Sequence, residues 1–216
     1  MTIAAVLISG GGTNLQALID AVAARELDVN LGLVLSNEPT AGGLVRASSA
    51  GIKTAIVNHR DFSSRDDFDR ALIETLSPHH PDIIILAGFM RILTPAFINH
   101  FAGRIFNIHP SLLPKYPGLD THEKAMANGD QWHGSTVHFA TAELDGGPRI
   151  MQGRVPVLAD DSPQSLATRV LEVEHRIYPK VVELFVTGRL AFADGHAWLD
   201  GKRLNQPLQY DVNSPH

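Results

Sequence analysis

The apolar residues in the first half of this chain fall in short continuous runs, which alternate with segments of helical periodicity. A continuous run of this length is typical of a strand buried on both faces, as in a parallel sheet. The runs lie at residues 3–8, 31–35, 54–57 and 82–88. Between them apolar side chains recur at helical spacing. The pattern predicts an α/β protein with a doubly wound, mostly parallel, Rossmann-like sheet.

The second half of the chain has a different pattern. Residues 135–140 and 150–157 flank a turn-rich segment, which predicts antiparallel edge strands. A helix is expected to begin at Ser162, because a capping hydroxyl followed by proline is favoured at a helix start. Pro179 is expected to kink or restart that helix. Two Asp-Gly turns predict a C-terminal hairpin over residues 188–203, followed by a polar end that frays.

An amide and an imidazole at the end of one strand form the most informative feature for function. Asn107 and His109 are two residues apart, so on a strand their side chains point the same way. Pro110 cannot extend a central strand, and the prolines over residues 110–117 force an irregular loop, which a cis Leu113–Pro114 bond would suit. Open α/β sheets bind ligands at this end of their strands. The pair can donate to a developing oxyanion and move a proton.

The glycine-rich segment after the first run predicts an anion site. Residues 9–14 read Ser-Gly-Gly-Gly-Thr-Asn, and Thr13 or Asn14 is expected to cap the next helix. Backbone N–H groups at a helix N-terminus suit a phosphate, although a tight turn alone would also use glycine. We favour the anion site. A dinucleotide fingerprint would need its third glycine at Leu15, and no P-loop lysine follows. The segment therefore predicts a phosphate monoester rather than NAD or ATP.

Three other features allow two interpretations each. Residues 88–93 place large apolar groups after a buried strand, which fits core packing or a slot for a planar ligand. Asp145 lies in a turn, where aspartate is common for local reasons, but beside His109 it would favour the protonated imidazole. The eleven histidines lack the paired spacing of a metal site, so no metal is expected.

Composition narrows the classes of partner. The chain has 216 residues, a net charge of −5 and no basic block, which argues against nucleic acid. No apolar run approaches the roughly 18 residues of a membrane span, and no positive residue precedes Arg25, so neither a membrane segment nor a secretory signal is expected. With no cysteine, thiol catalysis and disulfides are excluded. We expect a cytoplasmic protein.

The motifs together resemble those of the glycinamide ribonucleotide (phosphoribosylglycinamide) formyltransferases, within the folate-dependent formyltransferase family. The matching segments are residues 6–10, 13–17, 86–93, 107–118, 143–148 and 197–201. The resemblance implies transfer of a formyl group from the cosubstrate 10-formyltetrahydrofolate to the amine of glycinamide ribonucleotide, in purine biosynthesis. It also implies one formyltransferase domain over residues 1–216, with a phosphate-binding half at 1–100 and a catalytic, folate-binding half at 101–216.

The resemblance also assigns roles to individual residues. Asn107 matches the donor to the reacting oxygen, His109 the proton-transfer residue and Asp145 the residue that holds His109. The matching substrate contacts are Gly12, Thr13, Asn14, Asn107 and Glu174. The matching folate contacts are Arg65, Met90, Arg91, Ile92, Leu93, Ala140, Thr141 and Leu144. The partners are thus small molecules, and the chain is expected to be a monomer or a homodimer.

This chain departs from the family pattern at three positions, and rival functions remain open. Leu171 replaces a polar group found near the substrate in some relatives, and Phe106 and Ala142 alter the folate wall. The rivals are a formyltetrahydrofolate hydrolase and a formyltransferase for another amine, such as methionyl-tRNA or an amino sugar. A non-catalytic mononucleotide-binding module is the rival from another class. It would need the glycine loop but not Asn107, His109 and Asp145.

Overall fold

The computed structural model describes residues 1–210 and divides the chain into two units, Met1–Asn107 and Ile108–His216. In the first unit five parallel strands lie in the order β5-β4-β1-β2-β3. These strands are β1 Thr2–Ile8, β2 Val29–Ser36, β3 Thr54–Ile56, β4 Ile83–Leu86 and β5 Ile105–His109, of which β5 continues into the second unit. The helices between them are α1 Thr13–Ala23, α2 Gly42–Ser49, α3 Arg65–Leu76 and α4 Pro95–His100. The predicted parallel α/β arrangement is confirmed.

The register of the parallel strands places their carboxyl ends at one edge. Leu7 of β1 pairs with Leu35 of β2 and with Leu86 of β4, and Leu86 in turn pairs with Asn107 of β5. The last five residues of β1 and all of β4 are buried, because strands lie on both sides of each and packed side chains cover both faces. Polar side chains can therefore occur only after these strands end. The segments that follow the strands are grouped at this edge of the sheet.

The second unit combines an antiparallel pair, a long helix and a small separate sheet. The strand β6 Trp132–Phe139 pairs with β7 Arg149–Pro156, as predicted. The elements around them are α5 Thr121–Ala127, α6 Pro163–Val186, β8 Leu190–Ala193, β9 His196–Leu199, β10 Lys202–Arg203 and β11 Leu208–Tyr210. The predicted C-terminal hairpin is present as the antiparallel strands β8, β9 and β10.

Two predictions about the second half of the chain were wrong, and one helix there was not predicted. β11 pairs in parallel with β7, so β7 is not an edge and residues 208–210 do not fray. Residues 211–216 lie outside the described part of the chain. The short helix α5 was not predicted, because its seven residues bury only Thr121 and Ala125 and so carry little periodic signal.

Of the two effects expected of Pro179, a kink or a restart of the helix, the restart does not occur. α6 runs without interruption from Pro163 to Val186 although Pro179 removes one backbone donor, a change that costs about 3 kcal/mol. Buried side chains on both sides of the proline, Tyr178 and Val181 among them, hold the helix against the sheet. Packing of this kind supplies most helix stability in proteins, so it outweighs the local cost. Among residues 1–210, no helix combines the length and the apolarity needed to cross a membrane.

A buried carboxylate in the first unit gives a prediction about stability. Asp69 on α3 is 1% exposed, and its Oδ2 accepts a hydrogen bond from the Thr94 N–H at 2.6 Å. Burial raises the pKa of this carboxyl, although the hydrogen bonds from Thr94 oppose the shift. Its stabilising contribution is therefore fully present below the unfolded pKa of about 3.9 and is lost as pH rises through the higher folded value.

We predict that Asp69→Asn, which keeps an oxygen for Thr94 and cannot ionise, gains stability relative to wild type as pH rises. The difference in unfolding free energy should be smallest near pH 4 and should widen toward about pH 8, as urea unfolding at several pH values would measure. Glu74→Gln on the exposed face of the same helix is the control. A difference for Asp69→Asn that is constant with pH would contradict the prediction.

Candidate active site

The strand β5 places Asn107 and His109 on the side opposite its core residues. Phe106 and Ile108 alternate with them and are buried, with Phe106 fully so. Asn107 is half-buried, and His109 is buried with 7% of its surface exposed. Since Phe106 has no exposed surface, its side chain cannot contact a ligand directly. Any effect of Phe106 on folate binding would have to be indirect, through the residues that pack against it.

Both ring nitrogens of His109 face oxygen atoms. Nε2 lies 2.8 Å from the carbonyl oxygen of Tyr116, which can only accept, so this nitrogen carries a hydrogen. Nδ1 lies 3.5 Å from Oδ2 of Asp145, and both side chains are more than nine-tenths buried. Both neighbours of the ring are hydrogen-bond acceptors, and one of them is a carboxylate.

Asp145 is held in position by its backbone and by its neighbours. Its φ of 51° is the left-handed region, which aspartate adopts in tight turns. The N–H of Gly118 donates to its Oδ2 at 2.9 Å. Two residues on, a Cβ at Gly147 would lie 1.8 Å from the carbonyl oxygen of Phe139, so only glycine allows this turn to approach β6. The turn thus fixes the carboxylate that His109 contacts.

A second histidine flanks the same carboxylate. Nε2 of His138 lies 3.9 Å from Oδ1 of Asp145, while its Nδ1 donates to the carbonyl of Phe139 at 2.9 Å. Burial lowers the pKa of His138, an effect that its hydrogen bond to Phe139 and the charge of Asp145 oppose. A neutral His138 leaves His109 as the partner for the negative charge of Asp145.

The proline-rich loop after β5 is rigidly anchored in the second unit. Its Leu113–Pro114 bond is cis. Ser111 donates to the carbonyl of Lys115 at 2.6 Å. The carbonyl of Leu113 accepts from Arg149 at 2.7 Å and from Gln152 at 2.8 Å, both on β7. These bonds hold the chain so that the Tyr116 carbonyl meets His109.

The structure also brings Glu174 close to the His109 backbone. The hydroxyl of Ser135, which is fully buried on β6, lies 2.8 Å from the carbonyl oxygen of His109 and 3.0 Å from Oε1 of Glu174. Glu174 is itself buried on α6. His109, Asp145 and Glu174 thus all lie in the second unit. Leu171 is half-buried one turn before Glu174, and Ala142 is exposed.

The glycine loop of the first unit has the form expected of an anion site, with one difference. The helix α1 begins at Thr13, but its N-cap is Gly12 and no side chain caps it, so the prediction of a Thr13 or Asn14 cap was wrong. The carbonyl of Gly10 accepts from Gly43 N–H, and the carbonyl of Gly11 accepts from Arg46 Nε. Both carbonyls face α2, an orientation that suits a loop whose N–H groups serve a ligand.

Glycine is needed at position 12 for a reason independent of any ligand. Gly12 has φ of 71°, and a Cβ there would lie 2.6 Å from Cα of Gly43. At Gly10 and Gly11, by contrast, a Cβ would meet nothing within 4 Å. Gly12 therefore allows α2 to approach the loop, while the first two glycines border open space.

The remaining residues assigned to folate by the resemblance are exposed or partly exposed. Met90 and Ile92 are 63% and 57% exposed, directly after the buried strand β4. Large apolar side chains this exposed are typical of a ligand or partner surface. The cavity beside Met90 and Arg91 measures about 560 Å³ and is also bordered by the glycine loop. The others are Arg65, Leu93, Ala140, Thr141 and Leu144, of which Arg65 and Leu144 are exposed and the rest are half-buried.

No group of residues within 1–210 has the arrangement of a metal site. His122 and His133 do form a pair, with Nδ1 and Nε2 3.1 Å apart. Burial, with the charge of His122 as a second cause, lowers the pKa of His133 to about 4, so this ring is neutral near pH 7.

Sequence reasoning missed the polar side chains that support the site. Ser135 and His138 lie on β6 among buried residues, and Ser9 and Asn37 follow β1 and β2. The positions of Ser9 and Asn37, each just after a buried strand, were a usable signal. Ser135 gave none, because its partners His109 and Glu174 are distant in sequence, and His138 gave none, because its approach to Asp145 depends on the turn between them.

The mostly parallel α/β fold, with an imidazole against a carboxylate after one strand, is an arrangement that suits an acyl-group transferase. The family model described as formyl transferase matches residues 2–182. The phosphoribosylglycinamide formyltransferase of Escherichia coli (strain K12) is 54% identical over 92% of this chain and 94% of its own length. That of Haemophilus influenzae (strain ATCC 51907 / DSM 11121 / KW20 / Rd) is 48% identical over 93% and 94%.

The solved structures agree with the sequence relatives. A phosphoribosylglycinamide formyltransferase from Coxiella burnetii, solved in complex with CHES, superposes with a TM-score of 0.93 at 47% identity and covers 97% of this chain and 99% of its own. The chain belongs to the phosphoribosylglycinamide formyltransferase family.

The two kinds of glycine in the loop should respond differently to substitution. We predict that Gly12→Ala lowers the unfolding free energy by more than about 1 kcal/mol, because it combines a left-handed φ with a backbone clash. Gly11→Ala should change stability by less than about 0.5 kcal/mol but weaken binding of ribose 5-phosphate, because its methyl group points into open space at the loop. Urea unfolding and calorimetric titration would measure the two effects. Unchanged binding by Gly11→Ala would argue against a phosphate at this loop.

Proposed function

We propose that the chain transfers the formyl group of 10-formyltetrahydrofolate to the amine of 5'-phosphoribosylglycinamide. The products are 5'-phosphoribosyl-N-formylglycinamide and tetrahydrofolate, in de novo purine (IMP) biosynthesis. Membership of the family supports this function. The observation that carries the chemistry is that Asn107 and His109 share one face of β5, with the carboxylate of Asp145 against the imidazole.

The three residues fit successive needs of acyl transfer to an amine. As the amine attacks the formyl carbon, negative charge develops on the formyl oxygen, and the amide of Asn107 would donate a hydrogen bond to it. The attacking nitrogen must lose a proton and the leaving nitrogen of the folate must gain one. His109 would carry that proton, and Asp145 would orient the ring and stabilise its charged form. No metal is needed for these steps.

The ribonucleotide would bind through two groups of residues. Its phosphate suits the N–H groups of residues 12–14 at the start of α1, where the helix dipole adds a favourable field. Glu174 would accept hydrogen bonds from polar hydrogens of the ribonucleotide, since its carboxylate is already oriented by Ser135. Asn107 would contact the same substrate.

The folate would bind through apolar side chains and backbone groups. The exposed Met90 and Ile92 offer a surface to a planar ring, and the backbone of residues 90–93 and 140–144 offers donors and acceptors to its polar edge. Arg65 and Arg91 can pair with the carboxylates of the folate tail. When bound, 10-formyltetrahydrofolate supplies the formyl group, and these chain residues fix its position.

We also propose that the enzyme acts in the cytoplasm on small molecules alone, as a monomer or a homodimer. The cysteine-free sequence suits a reducing compartment. The net charge of −5 disfavours tRNA, whose phosphates require basic residues.

We predict that the purified chain converts 5'-phosphoribosylglycinamide and 10-formyltetrahydrofolate to the formylated ribonucleotide, as mass spectrometry would show. Asn107→Ala should lower turnover by about 10²- to 10³-fold, because it removes a donor to the developing oxyanion. Ser49→Ala, on an exposed helix position, is the matched control. Release of formate without formylated ribonucleotide would favour the hydrolase instead.

We predict that Asp145→Asn lowers turnover by about 10²- to 10⁴-fold and changes the pH dependence of kcat, since it removes the charge that stabilises a protonated His109. The fold should persist, because an asparagine oxygen can still accept from Gly118. The pH profile of kcat and far-UV circular dichroism would test both points. An unchanged profile would remove Asp145 from the proton-transfer pair.

A further inference from the structure

The hydroxyl of Ser9 connects the ends of three neighbouring strands in the first unit. Ser9 follows β1, which lies between β4 and β2 in the sheet. Its Oγ accepts a hydrogen bond at 2.8 Å from the N–H of Met90, which follows β4. The same hydroxyl donates to Oδ1 of Asn37, which follows β2. One donor and one acceptor position of this hydroxyl are thus used by two different segments.

Asn37 is itself fixed, so it gives the Ser9 hydroxyl a defined direction. Asn37 is 1% exposed, and its Nδ2 lies 3.1 Å from Nδ1 of His59. The same ring nitrogen lies 3.1 Å from the Asn37 carbonyl oxygen. His59 also packs edge-on against Phe68, with ring centroids 6.4 Å apart. A rotation of the Ser9 hydroxyl away from Met90 would break the contact with this anchored amide.

The two segments that meet at Ser9 have different proposed roles. Gly10, the next residue, begins the glycine loop assigned above to the phosphate of the ribonucleotide. Met90 begins the exposed apolar segment assigned to the folate. The backbone adds a second link, from Ser9 N–H to the carbonyl of Gly88 at 3.1 Å. The hydroxyl therefore sets the position of residues 90–93 relative to the loop, and the backbone link alone would set it less closely.

We propose that Ser9 is a positioning residue that aligns the folate-binding segment with the phosphate loop, and that Asn37 orients its hydroxyl. This inference rests on the proposed function, since it assigns the two segments to the two substrates. Ser9 touches neither reacting atom. We expect substitution of Ser9 to weaken folate binding, because its hydroxyl holds Met90, the first residue of the proposed folate-binding segment.

The test measures tetrahydrofolate binding without turnover, by fluorescence titration of the full chain. Ser9→Ala should raise the Kd for tetrahydrofolate by about 3- to 10-fold, the range expected for one lost hydrogen bond. Ser9→Thr keeps the hydroxyl and should restore the Kd to within about twofold of wild type. In turnover, Ser9→Ala should raise KM for 10-formyltetrahydrofolate more than KM for the ribonucleotide.

A second variant tests the link through Asn37. Asn37→Ala should raise the Kd less than Ser9→Ala does, and the double variant should bind no more weakly than Ser9→Ala alone, because both changes act through one hydroxyl. Additive losses would overturn the role given to Asn37. Ser162→Ala, which removes the hydroxyl cap of α6, is the control for lost stability and should leave the Kd unchanged.

The outcomes separate this proposal from the proposed function. Equal tetrahydrofolate binding by wild type, Ser9→Ala and Ser9→Thr would overturn the role of Ser9 even if formyl transfer is observed. Equal increases in both KM values, with no rescue by Ser9→Thr, would also overturn it, because they indicate a general loss of structure. A wild-type chain that binds tetrahydrofolate but forms no formylated ribonucleotide would contradict the proposed function instead.

Discussion

The common register of four parallel strands is the constraint on which the first unit depends. β1, β2, β4 and β5 pair so that their last residues lie at one level of the sheet. The strands are apolar and mostly buried over their length, so polar side chains can follow only where the strands end. The glycine loop, Asn37, the Met90 segment and Asn107 all lie at or just after such ends. The grouping of these segments is thus a consequence of strand pairing.

In the second unit a buried negative charge requires a partner. The carboxylate of Asp145 is more than nine-tenths buried, and an isolated charge at that depth would be costly. The Gly118 N–H and the His109 ring stabilise it, while His138 stays neutral because it is buried more completely. The two imidazoles beside this one carboxylate therefore lie in different environments.

Glycine at particular positions allows two elements of the fold to approach each other closely. Gly12 lets α2 approach the glycine loop and Gly147 lets the Asp145 turn approach β6, whereas Gly10 and Gly11 have open space beside them. The same residue type therefore allows close packing at some positions and borders open space at others. The sequence alone does not distinguish these two kinds of glycine. Only the distances to neighbouring backbone atoms separate the two uses.

The sequence by itself determined the parallel α/β class, most elements, the Asn107–His109 pair and the glycine loop. These follow from periodicity, proline and glycine, which act over a few residues. The tertiary structure decided that Pro179 stays within a helix, that β11 joins β7, and that Gly12 rather than Thr13 caps α1. It also decided the contacts of Asp145, Ser135 and Ser9. Those contacts join residues up to 81 positions apart, and no local pattern encodes which distant partners will meet.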